Sequence, residues 1–296
     1  MMNLNEFKNF FDDRFMALIE EKGRIFSNYS ENKAVREIIF HLQAVAQEGK
    51  RFRPYMTYCG YVTEGGEQDI FPLLAAIELL HFFCLVHDDV IDDEHTRRGV
   101  MTMNKKFGSS IAILAGDVLL TWAYECLDEM EAVEPYTIDD VRKEFATVLA
   151  EVIHGQMLDV LYSSEQVLSR DMIEKTMELK SAHYSFYRPL HIGMLLAGID
   201  EESRDFAENY ATNLGMVFQL LDDITDCPTD MKEKKQTLIT WFMDNHPAKD
   251  FADALSFAEE TADEYITAAN EAIFNYNKNN EPVWEEIIDE VQRAFM

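Results

Sequence analysis

The sequence predicts an all-α fold, one large helical bundle occupying residues 1–296 as a single domain. Three observations carry the prediction. Apolar residues recur at helical spacing along most of the chain with few strand-like alternations. Gly 12 and Pro 7 are both sparse for 296 residues, and no Pro/Gly/Ser-rich stretch, repeat or composition shift marks a domain border. A hydrophobic content of 47% is ample for a substantial buried core.

Taken in order, the spacing predicts helices over 5–22, 32–46, 71–92, 109–130, 138–161, 171–196, 202–225 and 251–274. Pro189 falls inside the sixth and should kink or break it. Glu64, Gly65, Gly66 and the run 227–229 read as turns, and Pro135 should interrupt the chain between two helices. The segment 282–296 reads as an amphipathic packing helix with Trp284, Ile287, Ile288 and Val291 inward. Trp122, Trp241 and Trp284 are each open to a core or a contact role.

With 26 basic and 55 acidic residues, the formal charge of −29 argues against nucleic acid or anionic lipid bound through bulk charge. Any anionic ligand must be held by local clusters. The spacing of Cys59, Cys84, Cys126 and Cys227 fits neither a thiolate zinc pattern nor a disulfide framework, so a reducing compartment is expected. Residues 1–11 show no basic n-region followed by an apolar stretch. The most membrane-like stretch, 70–86, carries Glu78 and His81 and is shorter than the ~20 apolar residues a span requires. A cytoplasmic protein without stable membrane insertion is the expectation.

The run His87-Asp88-Asp89-Val90-Ile91-Asp92-Asp93-Glu94 crowds carboxylates at the end of an apolar helix. Asp88 and Asp92, four apart, share a face, where like charges destabilise an isolated helix by roughly 0.2–0.5 kcal/mol per pair. A bound cation reverses that sign. Asp222 and Asp226 repeat the spacing within Phe218-Gln219-Leu220-Leu221-Asp222-Asp223-Ile224-Thr225-Asp226. Only oxygen donors are offered, which suits magnesium, an ion that keeps waters and shares phosphate oxygens with the protein.

Basic residues concentrate at Gly49-Lys50-Arg51-Phe52-Arg53-Pro54 and at Thr96-Arg97-Arg98-Gly99. Arginine forks grip phosphate oxygens bidentately and lysine adds a point charge, so these clusters beside magnesium carboxylates suggest a diphosphate. Taken together, the motifs resemble those of the trans-prenyl diphosphate synthase (polyprenyl synthetase) family, and the resemblance runs from about Gly49 to Thr240. Leu114-Ala115-Gly116-Asp117, Gly155-Gln156-Met157-Leu158-Asp159, Lys180-Ser181-Ala182 and Gly215 fall in the family's order.

The resemblance implies a helical bundle with a central apolar cavity and a homodimer. It also implies a reaction joining isopentenyl diphosphate to an allylic diphosphate such as dimethylallyl, geranyl or farnesyl diphosphate. Asp88, Asp92 and Asp222 would ligate three magnesium ions, supported by Asp226, Asp159 and Gln219. Arg97 and Lys180 would hold the allylic diphosphate, and Lys50, Arg53, His81 and Arg98 the isopentenyl one. Phe218 and Phe83 would wall off water. The family's loop after the second acidic motif is cut short here. Only Cys227-Pro228-Thr229 separate Asp226 from Asp230, and the resemblance implies Lys235 as the surviving lysine, with Asp230 available as an outer metal group.

Product length in such enzymes is limited by bulk just before the first motif. Phe83 and Cys84, an aromatic beside a small residue, resemble a geranylgeranyl (C20) synthase more than a farnesyl (C15) one. Three rivals stand beside this reading. Glu78-x-x-His81 and Glu151-x-x-His154 fit the pattern of a di-iron carboxylate bundle. The short loop would suit a non-catalytic subunit that tunes a partner synthase. A terpene cyclase of similar fold would not need Lys50 and Arg53.

Overall fold

Asn3 starts the first helix with a capping box: its side chain accepts from the Glu6 backbone N–H and Glu6 reaches back. In α1 (Leu4–Ser27), Phe7, Phe11, Phe15 and Ile19 recur every fourth residue and are all buried. Their rings stack at 5.6 Å for Phe7/Phe11 and 5.1 Å for Phe11/Phe15, so one stripe of sequence becomes one seam of core. The computed structural model describes residues 1–47, 49–130, 138–163, 168–233, 235–276 and 281–295. They fall into two units, Met1–Tyr58 with Glu67–Ala132 and Cys59–Gly66 with Val133–Met296. The predicted break at Pro135 lies outside the described residues.

In the first unit α1 is followed by α2 (Lys33–Ala46), capped by Asn32, and by α3 (Phe52–Thr63), which runs on into the second unit. Helix α3 is absent from the predicted set. Pro54 disguises it, but a proline in the first turn removes an N–H that has no intrahelical partner anyway. Next come α4 (Phe71–Ile91), a hairpin of β1 (Thr96–Arg97) and β2 (Val100–Met101), α5 (Met103–Phe107) and α6 (Ser109–Asp128). The hairpin is a second unpredicted element. It turns on Arg98 and Gly99, both at positive φ (51° and 76°), as a two-residue primed turn demands.

Helix α4 is apolar around most of its girth, as a helix buried in the core must be, and packs along α6. By length and composition α6 could itself cross a membrane. Its Ala112, Ala115, Leu119, Trp122, Ala123 and Cys126 are instead buried in the unit.

The second unit holds α7 (Ile138–Tyr162), α8 (Arg170–Met177), a π-helix (Glu178–Tyr187) and α9 (Arg188–Ala197). After these come α10 (Glu201–Glu233), α11 (Leu238–Asn245), α12 (Phe251–Asn275) and α13 (Glu281–Arg293). The break expected at Pro189 is present: the π-helix ends at Tyr187 and Pro189 sits in the first turn of α9. The turn expected at 227–229 is not. Helix α10 continues through Pro228, which leaves the Ile224 carbonyl without its usual N–H. Cys227 and Asp230, one turn apart and both buried, hold the helix in place past the proline. In α13 Trp284, Ile287, Ile288 and Val291 are buried as the amphipathic pattern requires, and Tyr210 donates to the Trp284 carbonyl at 2.8 Å.

Candidate functional site

Helix α4 ends inside its acidic run. Asp92 is the C-cap, donating its backbone N–H to the Asp88 carbonyl at 2.8 Å, and Asp93 turns the chain at φ 55°. Carboxylates at a helix C-terminus face the negative end of the macrodipole as well as each other. Asp88 is half-buried and Asp92 exposed. Asp89, not singled out from the sequence, is buried and accepts from Arg97 Nε at 2.6 Å, while its carbonyl accepts from Asn104 Nδ2 at 2.9 Å. Burial pushes the Asp89 carboxyl above its ordinary range, against the pull of Arg97. Predicted ligand Arg97 is thus fixed by the acidic motif itself, while Lys105 holds Asp93 at 2.6 Å.

Two turns before Asp88, the same helix carries His81, whose Nε2 lies 3.2 Å from Arg53 Nη1. Burial holds the imidazole well below its ordinary range, and the charges of Arg53, Arg98, Arg51 and Arg97 add to the effect. It is therefore neutral and accepts from Arg53. Arg98 is exposed at the hairpin tip, yet its guanidinium centre lies 5.7 Å over the Phe82 ring. Lost hydration lowers its charge affinity, Glu78 opposes, and Arg51, Arg97 and Arg53 add to the lowering. The structure thus gathers the predicted Arg53, His81 and Arg98 in one unit, with Arg51 as an unpredicted fourth member. Lys50 is exposed beside them in sequence.

Phe83 is buried with its ring 4.5 Å from that of His87, and Cys84 is a half-buried cysteine outside any disulfide, one turn before Asp88. Gly116 explains the Leu114–Asp117 motif. A Cβ there would lie 2.4 Å from the His87 imidazole, whose Nε2 is 3.0 Å from the Ile113 carbonyl.

In the second unit glycines set the spacing. A Cβ on Gly155 of α7 would lie 2.8 Å from the Lys180 backbone nitrogen, and one on Gly215 of α10 would lie 2.4 Å from Ala182 Cα. The π-helix is thereby held against both neighbours, with Lys180 Nζ donating to Asp159 Oδ2 at 2.5 Å. Phe218 packs between Phe186 (5.4 Å) and Phe295 (5.0 Å). Gln219 donates to Asp223 Oδ1 at 2.7 Å rather than to a group on Asp222. Asp222 is half-buried, Asp226 exposed, and Lys235 Nζ lies 3.4 Å from the buried Asp230.

Burial pushes the Asp223 carboxyl up to about 8, the Gln219 hydrogen bond opposing and the charges of Asp222, Asp230 and Asp226 adding to it. Carboxylates crowded in this way repel one another, and a bound cation would relieve the repulsion. Among the described residues no three acidic, His or Cys side chains form a ready-made cage. Magnesium takes one or two carboxylates and fills its shell with water and phosphate oxygens. Asp222 and Asp226 in this unit, and Asp88 and Asp92 in the first, offer carboxylates one helical turn apart.

The di-iron pattern is not realised. Glu78 is engaged by Arg51 at 2.5 Å and Glu151 by Arg188 at 2.5 and 2.8 Å, while His154 is exposed. Both glutamates neutralise guanidiniums. A cleft of about 780 Å³ in the second unit is lined by Asp200, Asp205, Phe206, Glu271 and Tyr276 among others, none of them a predicted ligand.

Residues 33–287 match the polyprenyl synthetase family. A short chain isoprenyl diphosphate synthase of Methanocaldococcus jannaschii is 28% identical over 226 residues, 75% of this chain and 66% of its own length. A geranylgeranyl diphosphate synthase of Sulfolobus acidocaldarius is 32% identical over 234 residues, 76% of this chain and 68% of its own. Among solved structures, a geranylgeranyl pyrophosphate synthase of Corynebacterium glutamicum, complexed with isoprenyl diphosphate and magnesium, superposes with a TM-score of 0.89. It is 22% identical and covered over 99% of each chain.

Proposed function

The chain belongs to the polyprenyl synthetase family, and we propose that it is a short-chain trans-prenyl diphosphate synthase, a prenyltransferase that extends an allylic diphosphate with isopentenyl diphosphate. One observation carries the reading. Helix α4 presents a neutral, arginine-surrounded His81 and, two turns on, the carboxylates Asp88 and Asp92. An anion grip and a cation grip on one helix are what a metal diphosphate needs.

In the proposed reaction Lys50, Arg53, His81 and Arg98 hold the diphosphate of isopentenyl diphosphate, and Arg97 and Lys180 hold that of the allylic partner. Asp88, Asp92, Asp222 and Asp226, with Asp159 and Gln219 in support, would hold magnesium, three ions by analogy with the family. The metal supplies stabilisation of the charge that builds on the departing diphosphate. Fixed guanidinium and ammonium groups add to it without reorganising. The allylic C–O bond breaks, the isopentenyl double bond attacks the cation to form the new C–C bond, and the proton leaves to the released diphosphate. Phe83 and Phe218 exclude the water that would capture the cation.

The family match over residues 33–287 runs through both units, which supports 1–296 as one catalytic domain. Cys84 beside Phe83 favours a C20 product over C15. Four cysteines outside any disulfide favour the reducing cytoplasm. Exposed Ile113, Leu114 and Tyr124 on α6 favour a homodimer. The uninterrupted α10 favours, as a second reading, a subunit that binds substrates without turning them over.

The test is incubation of the protein and magnesium with isopentenyl diphosphate and dimethylallyl, geranyl or farnesyl diphosphate in turn, products sized by mass spectrometry and Asp88→Ala as control. Extension stopping at C20 and absent from the control is expected. Extension stopping at C15 keeps the mechanism and removes the Cys84 argument. Binding without extension transfers the case to the subunit reading.

A further inference from the structure

Arg51 lies between two predicted diphosphate ligands, yet it is fully buried and cannot itself reach a ligand in solvent. Its fork is spent on protein. Nε donates to Asp12 Oδ1 at 2.7 Å, Nη1 to Glu78 Oε1 at 2.5 Å, and Nη2 to the Ala46 and Gln47 carbonyls at 3.0 and 3.3 Å. Three elements meet on one side chain: α1 through Asp12, the last carbonyls of α2, and α4 through Glu78. Glu78 is one helical turn before His81. The guanidinium is sheathed by the rings of Phe15 (5.3 Å), Phe82 (5.7 Å) and Phe11 (5.9 Å). Its own backbone is left-handed, at φ 59°, an uncommon state for arginine that persists only where the surroundings over-determine it. A Cβ on Gly49 would come within 2.9 Å of Arg51 Nη1 and 3.3 Å of Arg98 Nη1, so glycine there lets the two guanidiniums approach.

We infer that Arg51 is a positioning residue for the isopentenyl diphosphate grip: clamped by Asp12 and Glu78, it fixes the left-handed turn that joins Lys50 to Arg53 and holds that turn against the His81 segment of α4. The inference rests on the function proposed above. A lysine in its place could not serve Asp12, Glu78 and two carbonyls at once, because only a planar fork with donors on separate nitrogens spans them. The clamp acts on one substrate, since its neighbours Arg53 and His81 belong to the isopentenyl grip.

The test compares Arg51→Lys and Asp12→Ala in the full chain with Lys22→Met, which removes another buried cation of the same unit and its pairs with the exposed Glu125 and Glu129. Isopentenyl diphosphate binding is read by calorimetry, and kcat and both KM values by steady-state kinetics. Arg51→Lys is expected to weaken isopentenyl diphosphate binding about tenfold or more, the loss that goes with charge-assisted hydrogen bonds. Saturated kcat and the allylic KM should stay within about twofold, the pattern of lost uniform binding of one substrate. Asp12→Ala should shift the same constant by about threefold. Lys22→Met should lower the melting temperature and leave binding unchanged. Equal affinity in Arg51→Lys and wild type, or a parallel rise in both KM values, overturns the positioning role alone. Wild-type protein that fails to bind isopentenyl diphosphate overturns the functional reading and this inference with it.

Discussion

Removing the charge of Glu151 tests how the π-helix is fastened. Arg188 donates Nε and Nη2 to Glu151 and Nη1 to Glu144 at 2.6 Å, His191 Nδ1 lies 2.9 Å from Glu144, and His183 Nδ1 is 3.4 Å from Glu151. The network ties α7 to the π-helix and α9. Burial alone would raise the Glu151 carboxyl; His183 and Arg188 outweigh it and lower it from 4.5 to about 2. With its side chain 21% exposed, the displacement corresponds to about 3 kcal/mol of stability at neutral pH. The sign follows from a depressed folded value. The contribution is complete above the unfolded value of 4.5 and is lost as pH falls toward 2. Glu151→Gln keeps the shape and one acceptor while deleting the charge. Urea unfolding should show the variant less stable by about 3 kcal/mol at pH 7, narrowing to about 1 kcal/mol at pH 3. A gap of equal size at both pH values would refute the electrostatic account.

Four further outcomes are expected. Cys84→Phe adds bulk one turn before Asp88 and should shorten the main product by one five-carbon unit; an unchanged product profile by mass spectrometry removes Cys84 from the length gauge. Asp222→Asn should cut kcat about 100-fold or more and raise the magnesium concentration needed for half activity, and a variant with a wild-type magnesium titration removes Asp222 from the metal set. Gly215→Ala would place a Cβ 2.4 Å from Ala182 Cα, a backbone atom that cannot step aside. It should cost about 1–3 kcal/mol in unfolding free energy and raise the allylic KM, and an unshifted melting temperature counts against the close packing. Arg98→Gly removes a non-glycine residue from φ 51°. Its melting temperature should hold or rise, by up to about 1 kcal/mol of stability, while the KM for isopentenyl diphosphate rises; a destabilised variant contradicts the strain argument.

Most helices were legible because their apolar stripes are uninterrupted: the Phe7, Phe11, Phe15 series of α1 and the Trp284, Ile287, Val291 face of α13 need no tertiary information. What escaped depends on partners distant in sequence. Helix α3 carries Pro54, and only the tolerance of a first turn rescues it. The π-helix has no periodic signature of its own, though Gly155 and Gly215 in the motifs mark where backbone must approach backbone. Helix α10 passes Pro228 because Cys227 and Asp230 are buried, which local propensity does not reveal. At the site the sequence supplied Asp159 and Lys180 separately, and the fold supplied their contact. It could not show Asp89 turning inward to hold Arg97, nor Arg51 spent on Asp12 and Glu78. Those assignments depend on which face of a motif meets the core.

Backbone strain is distributed in the same way. Among the described residues the non-glycine positions at positive φ are Arg51, Asp93 and Arg98. Arg51 and Asp93 flank proposed ligands and Arg98 is one, and each such position costs on the order of 1–3 kcal/mol. Each has its own restraint: Arg51 is clamped by two carboxylates and two carbonyls, Asp93 is held by Lys105, and Arg98 is fixed by the pairing of Thr96 with Met101 and Arg97 with Val100. Glycine would relieve the backbone strain at all three, but at position 98 it would remove a cation from the His81 group. At 93 it would free the chain that leaves Asp92, and at 51 it would release α1 from α4. The turns are therefore built of charged residues because the strained backbone is what aims the charges. A chain that only needed to fold would have little reason to hold arginine in left-handed conformations twice within the reach of one histidine.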